Sequence, residues 1–377
     1  MLTGTNLSAA FDTLDHKILI NRLRDTFGIS GVALDWFASY LSDRAQSVVI
    51  SGSTSKPCHL KYGVPQGSVL GPKLYTMYTQ ALGDLIRQHG LDYHMYADDT
   101  QLYIFFKRKC GNSRDHAIQR LEACLEDIRA WMDVNFLKLN SEKTEVMCFA
   151  PHQSRGLGEV FISVNGNSIA ASTSAKSLGV IFDPALSMDN QVKSVVRTCF
   201  MQLHRIGRLR RCLNDHAIKT LVHGLITSRL DYCNALYTGL PNYIVQRLQR
   251  VQNSAARLIR RTKWSDHITP TLIELHWLPI KSRIDYKILV HTFRAVNGLS
   301  PKYIENMVAP YTSSRLLRST DKRLLTVPRV KTHYGERSFY NAAPKLWNNL
   351  PIELWSMASL PAFTKALKTH LFKLSYF

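Results

Sequence analysis

What the sequence lacks narrows the classes of protein to which it can belong. It contains no apolar run of membrane-spanning length, and its start, Met-Leu-Thr-Gly-Thr-Asn, has neither the basic region nor the apolar stretch of a secretory signal. Its seven cysteines include no Cys-x-x-Cys pair, which argues against a structural zinc site and a disulfide framework. We therefore expect no membrane partner and reduced cysteines in an intracellular protein, with nucleus and cytoplasm both open.

Acidic residues are scarce in the second half of the chain. Residues 1–190 carry 18 Lys and Arg against 19 Asp and Glu, whereas residues 191–377 carry 30 against nine. The net charge of +20 therefore resides in the second half of the chain. This distribution favours catalysis or folding as the role of residues 1–190 and polyanion binding as the role of residues 191–377. With 377 residues, 45% of them hydrophobic, the chain is long enough for two or three domains.

The adjacent carboxylates Asp98 and Asp99 are the most informative feature that is present. They lie between two runs, 91–96 and 101–106, which have the length and composition of β-strands, so the sequence predicts a hairpin with its tip at Ala-Asp-Asp. Adjacent carboxylates repel one another, and a divalent cation neutralises them in two-metal phosphoryl transfer. For the dipeptide alone, an ordinary solvated turn is the alternative.

Hydrophobic periodicity and turn residues predict the remaining elements. They are two helices within 14–41 broken at 28–31, a hairpin of 46–50 with 57–62, helices over 70–88 and 115–135, strands at 145–149 and 177–182, and a helical pattern from 190 onward with breaks near 212–214 and 239–241.

Three blocks occur in one order along the chain. They are Asn6-Leu-Ser-Ala-Ala-Phe-Asp-Thr-Leu-Asp-His16, Gly63-Val-Pro-Gln-Gly-Ser-Val-Leu-Gly-Pro72 and Tyr96-Ala-Asp-Asp99. Together they resemble the reverse transcriptase of non-LTR (LINE-type) retrotransposons, particularly the jockey-like branch. The likeness continues through Leu137-Lys-Leu-Asn-Ser-Glu-Lys-Thr-Glu145, Ser177-Leu-Gly-Val-Ile-Phe-Asp183, His276-Trp-Leu-Pro279 and Ala343-Pro-Lys-Leu-Trp347.

The resemblance implies an α+β fold in four segments. Residues 1–150 would form a polymerase palm, which is an antiparallel sheet with packed helices, and residues 151–190 a primer-grip segment. Residues 191–263 would form a basic helical thumb, and residues 264–377 a mostly helical C-terminal region of unknown role.

The resemblance also implies a reaction, its metal and its partners. Asp98 would be a principal ligand and Asp99 a supporting carboxylate for two Mg²⁺ or Mn²⁺ ions. RNA template, DNA primer and deoxynucleoside triphosphates would be the partners. Lys143 would protonate or neutralise the leaving pyrophosphate, with a solvated surface lysine as the alternative.

Further residues match the nucleotide-binding and primer-binding parts of the family. Phe11 would be the aromatic gate that excludes a ribose 2′-hydroxyl, and a core phenylalanine is the alternative. Gln66 and Gly67 would lie near the incoming nucleotide, in a loop whose glycines let the backbone approach it closely. Leu178 and Gly179 would belong to the primer-gripping hairpin.

Arginines recur at three-residue spacing in the basic segment. Residues 191–263 contain 14 Lys and Arg and only two acids. The spacing predicts rows of guanidinium groups along helix faces, suited to the phosphates of a template–primer duplex. The residues are Arg205, Arg208, Arg211, Arg247, Arg250, Arg257 and Arg260.

Position 6 departs from the family pattern. The family has an acidic residue five positions before the aromatic gate, where this chain has Asn6, and neither Asp12 nor Asp15 takes its place in that pattern. An asparagine offers a neutral carbonyl and removes one negative charge from the site. Loss of such a ligand costs several kcal/mol, or roughly a thousandfold in rate, so we expect a poor polymerase or an inactive one.

The segment before Asn6 is also short, with five residues where the family has a fingers region. The expectation is a copy truncated at its N-terminus, whose Met1 reflects the choice of reading frame. Two alternatives to an RNA-directed DNA polymerase remain: a catalytically dead nucleic-acid-binding remnant, and an unrelated basic scaffold protein.

Overall fold

The computed structural model describes residues 2–8, 11–65, 67–107, 111–149, 160–164, 166–311 and 323–377. The chain forms two compact units, Met1–Ala185 and Leu186–Phe377. The boundaries predicted at residues 150 and 263 both lie inside a unit and stay predictions about the tasks of the segments.

The described residues of the first unit form short strands and four helices. The strands are β1 (Leu2–Ser8), β2 (Ala45–Gln46), β3 (Val49–Ile50), β4 (Ser53–Thr54), β5 (Cys58–His59), β6 (Asp92–Tyr96), β7 (Asp99–Tyr103), β8 (Lys138–Met147), β9 (Phe161–Val164), β10 (Asn167–Ala170), β11 (Ala175–Ser177) and β12 (Val180–Phe182). The helices are α1 (His16–Asp25), α2 (Val32–Leu41), α3 (Gly71–Gln88) and α4 (Gly111–Val134).

An antiparallel sheet in the order β6-β7-β1-β8 forms the centre of the first unit. Side chains alternate along β7, where Thr100 and Leu102 are buried and Asp99, Gln101 and Tyr103 are half-buried. The buried stripe of α4, including Leu121 and Leu125, belongs to the same hydrophobic core. The α+β architecture and the hairpin predicted at Ala-Asp-Asp are confirmed.

Two predicted strands differ from the structure. The strand predicted at 145–149 begins earlier, because β8 extends back to Lys138 to pair with β1. The single strand predicted at 177–182 is wrong: β11 and β12 form a hairpin. Leu178 and Gly179 have φ values of 46° and 80°, which reverse the chain between them.

The second unit is helical. Its helices are α5 (Asp189–Leu209), α6 (Asp215–Val222), α7 (Ser228–Asp231), α8 (Asn242–Arg260), α9 (Thr269–Glu274), α10 (Ile280–Val296), α11 (Lys302–Glu305), α12 (His333–Arg337), α13 (Phe339–Asn348), α14 (Ile352–Trp355) and α15 (Leu360–Tyr376). Short 3-10 turns span Arg210–Cys212 and Asn234–Tyr237, and a π-helical turn spans His223–Thr227.

Aromatic side chains fill the core of the second unit. The rings of Phe293 and Phe363 stack with centroids 4.3 Å apart, and Trp347 packs beside them, fully buried. Burial of these rings places α10, α13 and α15 around one core. The tail motif that ends at Trp347 thus has a structural role in the fold.

Arg337 joins distant parts of the second unit. Its guanidinium donates hydrogen bonds to the carbonyl oxygens of Leu186 at 2.9 Å, Thr238 at 3.1 Å and Leu236 at 3.5 Å. The contact with Leu186 bridges 151 residues of sequence.

No helix in the described part of the chain is long and apolar enough to cross a membrane. The six cysteines that the structure describes are all free thiols.

Candidate active site and basic surface

The register of the central sheet brings the first and third sequence blocks together. Asn6 of β1 is directly opposite Asp99 of β7, and Tyr96 and Asp99 close the two-residue turn that carries Asp98. Ala97 adopts a left-handed φ of 51° in that turn. Both aspartates are half-buried. The carboxylate pair therefore lies at the end of a hairpin whose second strand is paired with β1.

The second block is held against the first by its backbone. Gly63 N donates to Leu14 O at 2.8 Å, and Val64 N donates to Phe11 O at 2.9 Å. Gly63 has a φ of 82°, and a Cβ there would lie 2.9 Å from backbone atoms of Phe11 and Asp12. Only glycine allows this approach without displacement of the chain. All three blocks thus converge in the folded first unit.

Tyr75 lies beside Phe11, a contact that the sequence did not predict. The ring of Phe11 packs against that of Tyr75 with centroids 4.9 Å apart. The Tyr75 hydroxyl is buried and has no hydrogen-bond partner among the described residues. Burial, and then the charge of Asp98, raise the pKa of Tyr75. The sequence placed Tyr75 on a helix but gave no signal that it would lie near Asp98. Phe11 is half-buried and packs against the core.

The β11–β12 hairpin is tied to the sheet near the carboxylates. The side chain of Gln101 donates a hydrogen bond to the hydroxyl of Ser177, and Lys176 N donates to a carboxylate oxygen of Glu145 at 3.3 Å. Gln101 lies two residues beyond Asp99 on β7, hence on the same face of the sheet. The turn at 178–179, predicted to belong to the primer grip, therefore begins directly after Ser177, which is bound to the face of the sheet that carries Asp99.

Several predicted site residues fall outside the description. Gln66 is not among the described residues, and the side chains of Asn6 and Lys143 lie outside them, although both backbones belong to strands. Gly67 is described: it has a φ of 77° and open space around its Cα.

The carboxylates are chemically suited to a divalent cation. Carboxylate oxygens are hard ligands of the kind that Mg²⁺ and Mn²⁺ take. Asp15 is engaged elsewhere, because it accepts a hydrogen bond from Ile18 N at 2.9 Å as the cap of α1. Within the described ranges, no group of three or more His, Cys, Asp or Glu side chains could hold a metal ion. Asp98 and Asp99 are therefore the two carboxylates at this turn, and position 6, opposite Asp99, carries an asparagine in place of a third.

A cavity of about 470 Å³ borders the loop that contains Gly63. Arg44 Nη1 and His16 Nε2 each lie 2.8 Å from the Gly63 carbonyl oxygen. Lys17 and Lys61 also line this cavity. The acids Asp15 and Asp43 line the cavity too, so its lining carries both signs of charge, and the sequence did not single it out.

The predicted arginines fall into two groups in the second unit. In the first group, Arg247 pairs with Asp189 at 2.6 Å and Arg260 with Glu274 at 2.5 Å, while Arg257 donates to the carbonyls of residues 263 and 266. In the second group the side chains are exposed, and no hydrogen bond or ion pair to another described residue is found. The exposed group comprises Arg205, Arg208, Arg211 and Arg250.

Arg210 lies between members of the exposed group but is buried. It donates hydrogen bonds to the carbonyls of Leu258 and Ile259, both at 3.2 Å, and forms an ion pair with Asp215 at 2.8 Å. These contacts fix the end of α5 against α8. Arg210 thus has a structural role that its exposed neighbours do not share.

Comparison with known proteins gives consistent matches. The sequence profile of the family described as reverse transcriptase (RNA-dependent DNA polymerase) matches residues 1–182. The "Probable RNA-directed DNA polymerase from transposon BS" of Drosophila melanogaster is 32% identical over 223 residues, which cover 57% of this chain and 23% of that protein. The "RNA-directed DNA polymerase from mobile element jockey" of the same species is 25% identical over 264 residues, covering 68% and 27%.

The chain spans about a quarter of the length of these relatives. Among solved structures, telomerase from Candida albicans in complex with a TWJ fragment of telomeric RNA is similar to this chain with a TM-score of 0.34 and 15% identity. That similarity covers 76% of this chain and 48% of the telomerase chain.

Proposed function

The chain belongs, through residues 1–182, to the reverse transcriptases of non-LTR (LINE-type) retrotransposons, and we propose that its first unit is the palm of an RNA-directed DNA polymerase. The unit would add deoxynucleotides to the 3′-hydroxyl of a primer on an RNA template. The pairing of position 6 with Asp99, beside the turn that bears Asp98, is the observation that carries this proposal. The family match rules out the unrelated scaffold protein that the sequence left open.

Asp98 and Asp99 would hold the Mg²⁺ or Mn²⁺ ions, which when bound neutralise negative charge on the triphosphate. The protein's own groups position the reactants around them. Phe11 would contact the sugar of the incoming nucleotide and exclude a 2′-hydroxyl, supported by its packing on Tyr75. Lys143, on β8, would neutralise the departing pyrophosphate.

Two loops would complete the substrate site. The loop with Gln66 and Gly67 would lie against the nucleotide and template, supported by the attachment of Gly63 and Val64 to the first block. The hairpin with its turn at 178–179 would hold the primer end, supported by its link to the face of Asp99 through Gln101.

Asn6 makes this copy a poor polymerase in our proposal. Directly opposed residues of antiparallel strands have Cβ atoms about 4.5 to 5.5 Å apart, so an acid at position 6 would add its charge beside Asp99. The amide in its place leaves the cation with fewer anionic ligands. A nucleic-acid-binding remnant without catalysis is therefore the second candidate function, and Asn6 is the observation that favours it.

The exposed arginines of the second unit would bind the phosphates of the template–primer duplex. Arg208 represents this group, whereas Arg247 represents the group held in ion pairs within the protein. Each phosphate contact releases about one counterion, so its loss lowers the slope of log affinity against log salt by about 1. Arg208→Gln should reduce both affinity and slope, and Arg247→Gln should leave the slope unchanged.

RNA-templated primer extension in Mg²⁺ or Mn²⁺ tests the polymerase, with duplex binding measured in parallel. The full chain is compared with Asp98→Asn. Extension that disappears in the variant would establish catalysis and would contradict the assigned effect of Asn6. Binding without extension in both proteins would establish the remnant. A folded chain that neither binds a duplex nor extends a primer would refute both candidate functions.

A further inference from the structure

A second cavity lies in the second unit, between residues of the 191–263 segment and residues of the C-terminal region whose task the sequence left unknown. Its volume is about 240 Å³. The short helix α7 and the 3-10 turn after it form one wall, and α10 and α15 form the others. The lining residues are Asp231, Asn234, Leu278, Arg283, Tyr286, Lys287 and Lys368.

Asn234 leaves an unused acceptor at this cavity. The side chain is only 2% exposed, and its Oδ1 has no hydrogen-bond partner among the described residues. A buried amide oxygen without a donor costs about 1 to 3 kcal/mol. A bound molecule that reaches this oxygen with an N–H or O–H group would remove the cost, which favours a ligand carrying such a donor.

The cavity also carries a positive charge. Three lining side chains are cationic and one is acidic, and the acid, Asp231, is held by a two-pronged ion pair with Arg283. Lys287 and Lys368 remain to meet a ligand. The positive charge of Arg283 also acts on His223. Burial, and then this charge, lower the pKa of His223. An anion is therefore favoured.

The remaining lining selects the rest of the ligand. Tyr286 offers an aromatic ring and Leu278 an apolar side chain, which are surfaces on which a nucleobase packs. Asparagine reads base edges, and its oxygen accepts from an exocyclic amino group. Lysine is a common partner of phosphate. The volume lies just below the roughly 300 to 1,000 Å³ of ordinary small-molecule sites, so the ligand is no larger than a mononucleotide and a duplex is excluded.

We propose that this cavity binds a single nucleotide 5′-monophosphate, with the phosphate on Lys287 and Lys368 and an amino group of the base on Asn234. The nucleotide is either free or the 5′-terminal residue of a strand, because both present the same chemistry. The site lies wholly in the second unit and does not depend on polymerase activity in the first.

Calorimetric titration of the full chain with AMP tests the site. AMP should bind with a dissociation constant below about 1 mM. Ribose 5-phosphate, which lacks the base, and IMP, which has a carbonyl in place of the amino group, should each bind roughly tenfold more weakly. Equal affinity for all three ligands would overturn the assignment of Asn234.

Two lysines of α15, Lys368 at the cavity and Lys373 away from it, provide a matched pair of variants. Lys368→Met should weaken AMP binding roughly tenfold, as should Lys287→Met, because a hydrogen bond to a charged group is lost. Lys373→Met removes the same charge from α15 away from the cavity and should leave the affinity unchanged. Equal losses in Lys368→Met and Lys373→Met would show that AMP binds only to the general positive charge, which would overturn the proposal.

A 5′-phosphorylated RNA trinucleotide distinguishes the two sources of the nucleotide. If it displaces AMP and depends on Lys368, the cavity receives a strand end. If AMP binds and the trinucleotide does not displace it, the ligand is a free nucleotide. If neither ligand binds at about 5 mM, a concentration at which even millimolar affinity is detected, the cavity is not a nucleotide site.

Discussion

Asn6→Asp is the substitution that tests the candidate active site most directly. Position 6 is in register with Asp99, and both aspartates are half-buried, which places the site in a medium of effective dielectric constant near 20. There, one unit charge 4 Å from another contributes about 4 kcal/mol. The added carboxylate should thus raise the rate of primer extension roughly a thousandfold, since each 1.36 kcal/mol is worth about tenfold.

The same substitution has an effect on stability that does not require catalysis. Without metal, a carboxylate about 5 Å from Asp99 repels it by about 1 to 3 kcal/mol, depending on exposure to water. The variant should therefore unfold at a lower temperature than the original chain. Mg²⁺ or Mn²⁺ should raise its melting temperature more than that of the original chain, because the cation gains a ligand.

Asn167→Asp is the matched control for this experiment. It makes the same chemical change at an exposed position of β10 in the same unit. If Mg²⁺ stabilises Asn6→Asp and Asn167→Asp to the same extent, position 6 does not lie beside a metal-binding Asp99 and the reasoning is refuted. If Mg²⁺ stabilises Asn6→Asp alone and neither variant extends a primer, the register is right and catalysis needs more than one restored charge.

Three further predictions concern stability and are measured by urea unfolding. Gly63→Ala should lose about 2 to 4 kcal/mol, because its Cβ would meet backbone at 2.9 Å, whereas Gly67→Ala should lose only about 1 kcal/mol from its positive φ; equal losses would contradict the close approach. Arg210→Met should lose about 2 to 3 kcal/mol by stranding buried acceptors, and Arg211→Met less than about 0.5 kcal/mol; a neutral Arg210→Met would contradict its anchoring role. Burial raises the pKa of Asp285 to about 6, so its folded form holds a proton that the unfolded chain has lost, and stability falls by about 2 to 3 kcal/mol as pH rises from about 4 through 6. Asp285→Asn should therefore stabilise the protein at pH 7.5 and be neutral near pH 4; an equal effect at both would contradict the raised pKa.

Local signals were sufficient for the hairpin and the helices of the first unit. Apolar spacing identified α4, and turn chemistry between two strand-like runs identified the reversal at Asp98. The register of β1 was not readable in this way. Its sequence, Leu-Thr-Gly-Thr-Asn-Leu-Ser, has no regular alternation, and its partner β7 lies about ninety residues away along the chain. Only the family likeness linked position 6 to Asp99.

Tertiary contacts decided the points that the sequence left open or missed. The reversal after β11 depends on Leu178 taking a positive φ, which residues other than glycine adopt infrequently, so composition alone predicts one strand over 177–182. Helical spacing alone predicts that Arg247 and Arg208 both belong to rows of guanidinium groups that bind phosphates. Acceptors elsewhere in the fold, such as Asp189, determine which arginines are held within the protein.

The three carbonyls held by Arg337 impose an order on biosynthesis. A chain that emerges from the ribosome exposes its N-terminal part first, and domains generally fold as units in that order. Residues Met1–Ala185 have all emerged before Leu186 is exposed. Leu186, at the start of the second unit, must wait for Arg337, 151 residues later. During that interval the basic helices are synthesised without the segment that closes their unit, and incompletely folded chains of this kind are the ones that chaperones bind.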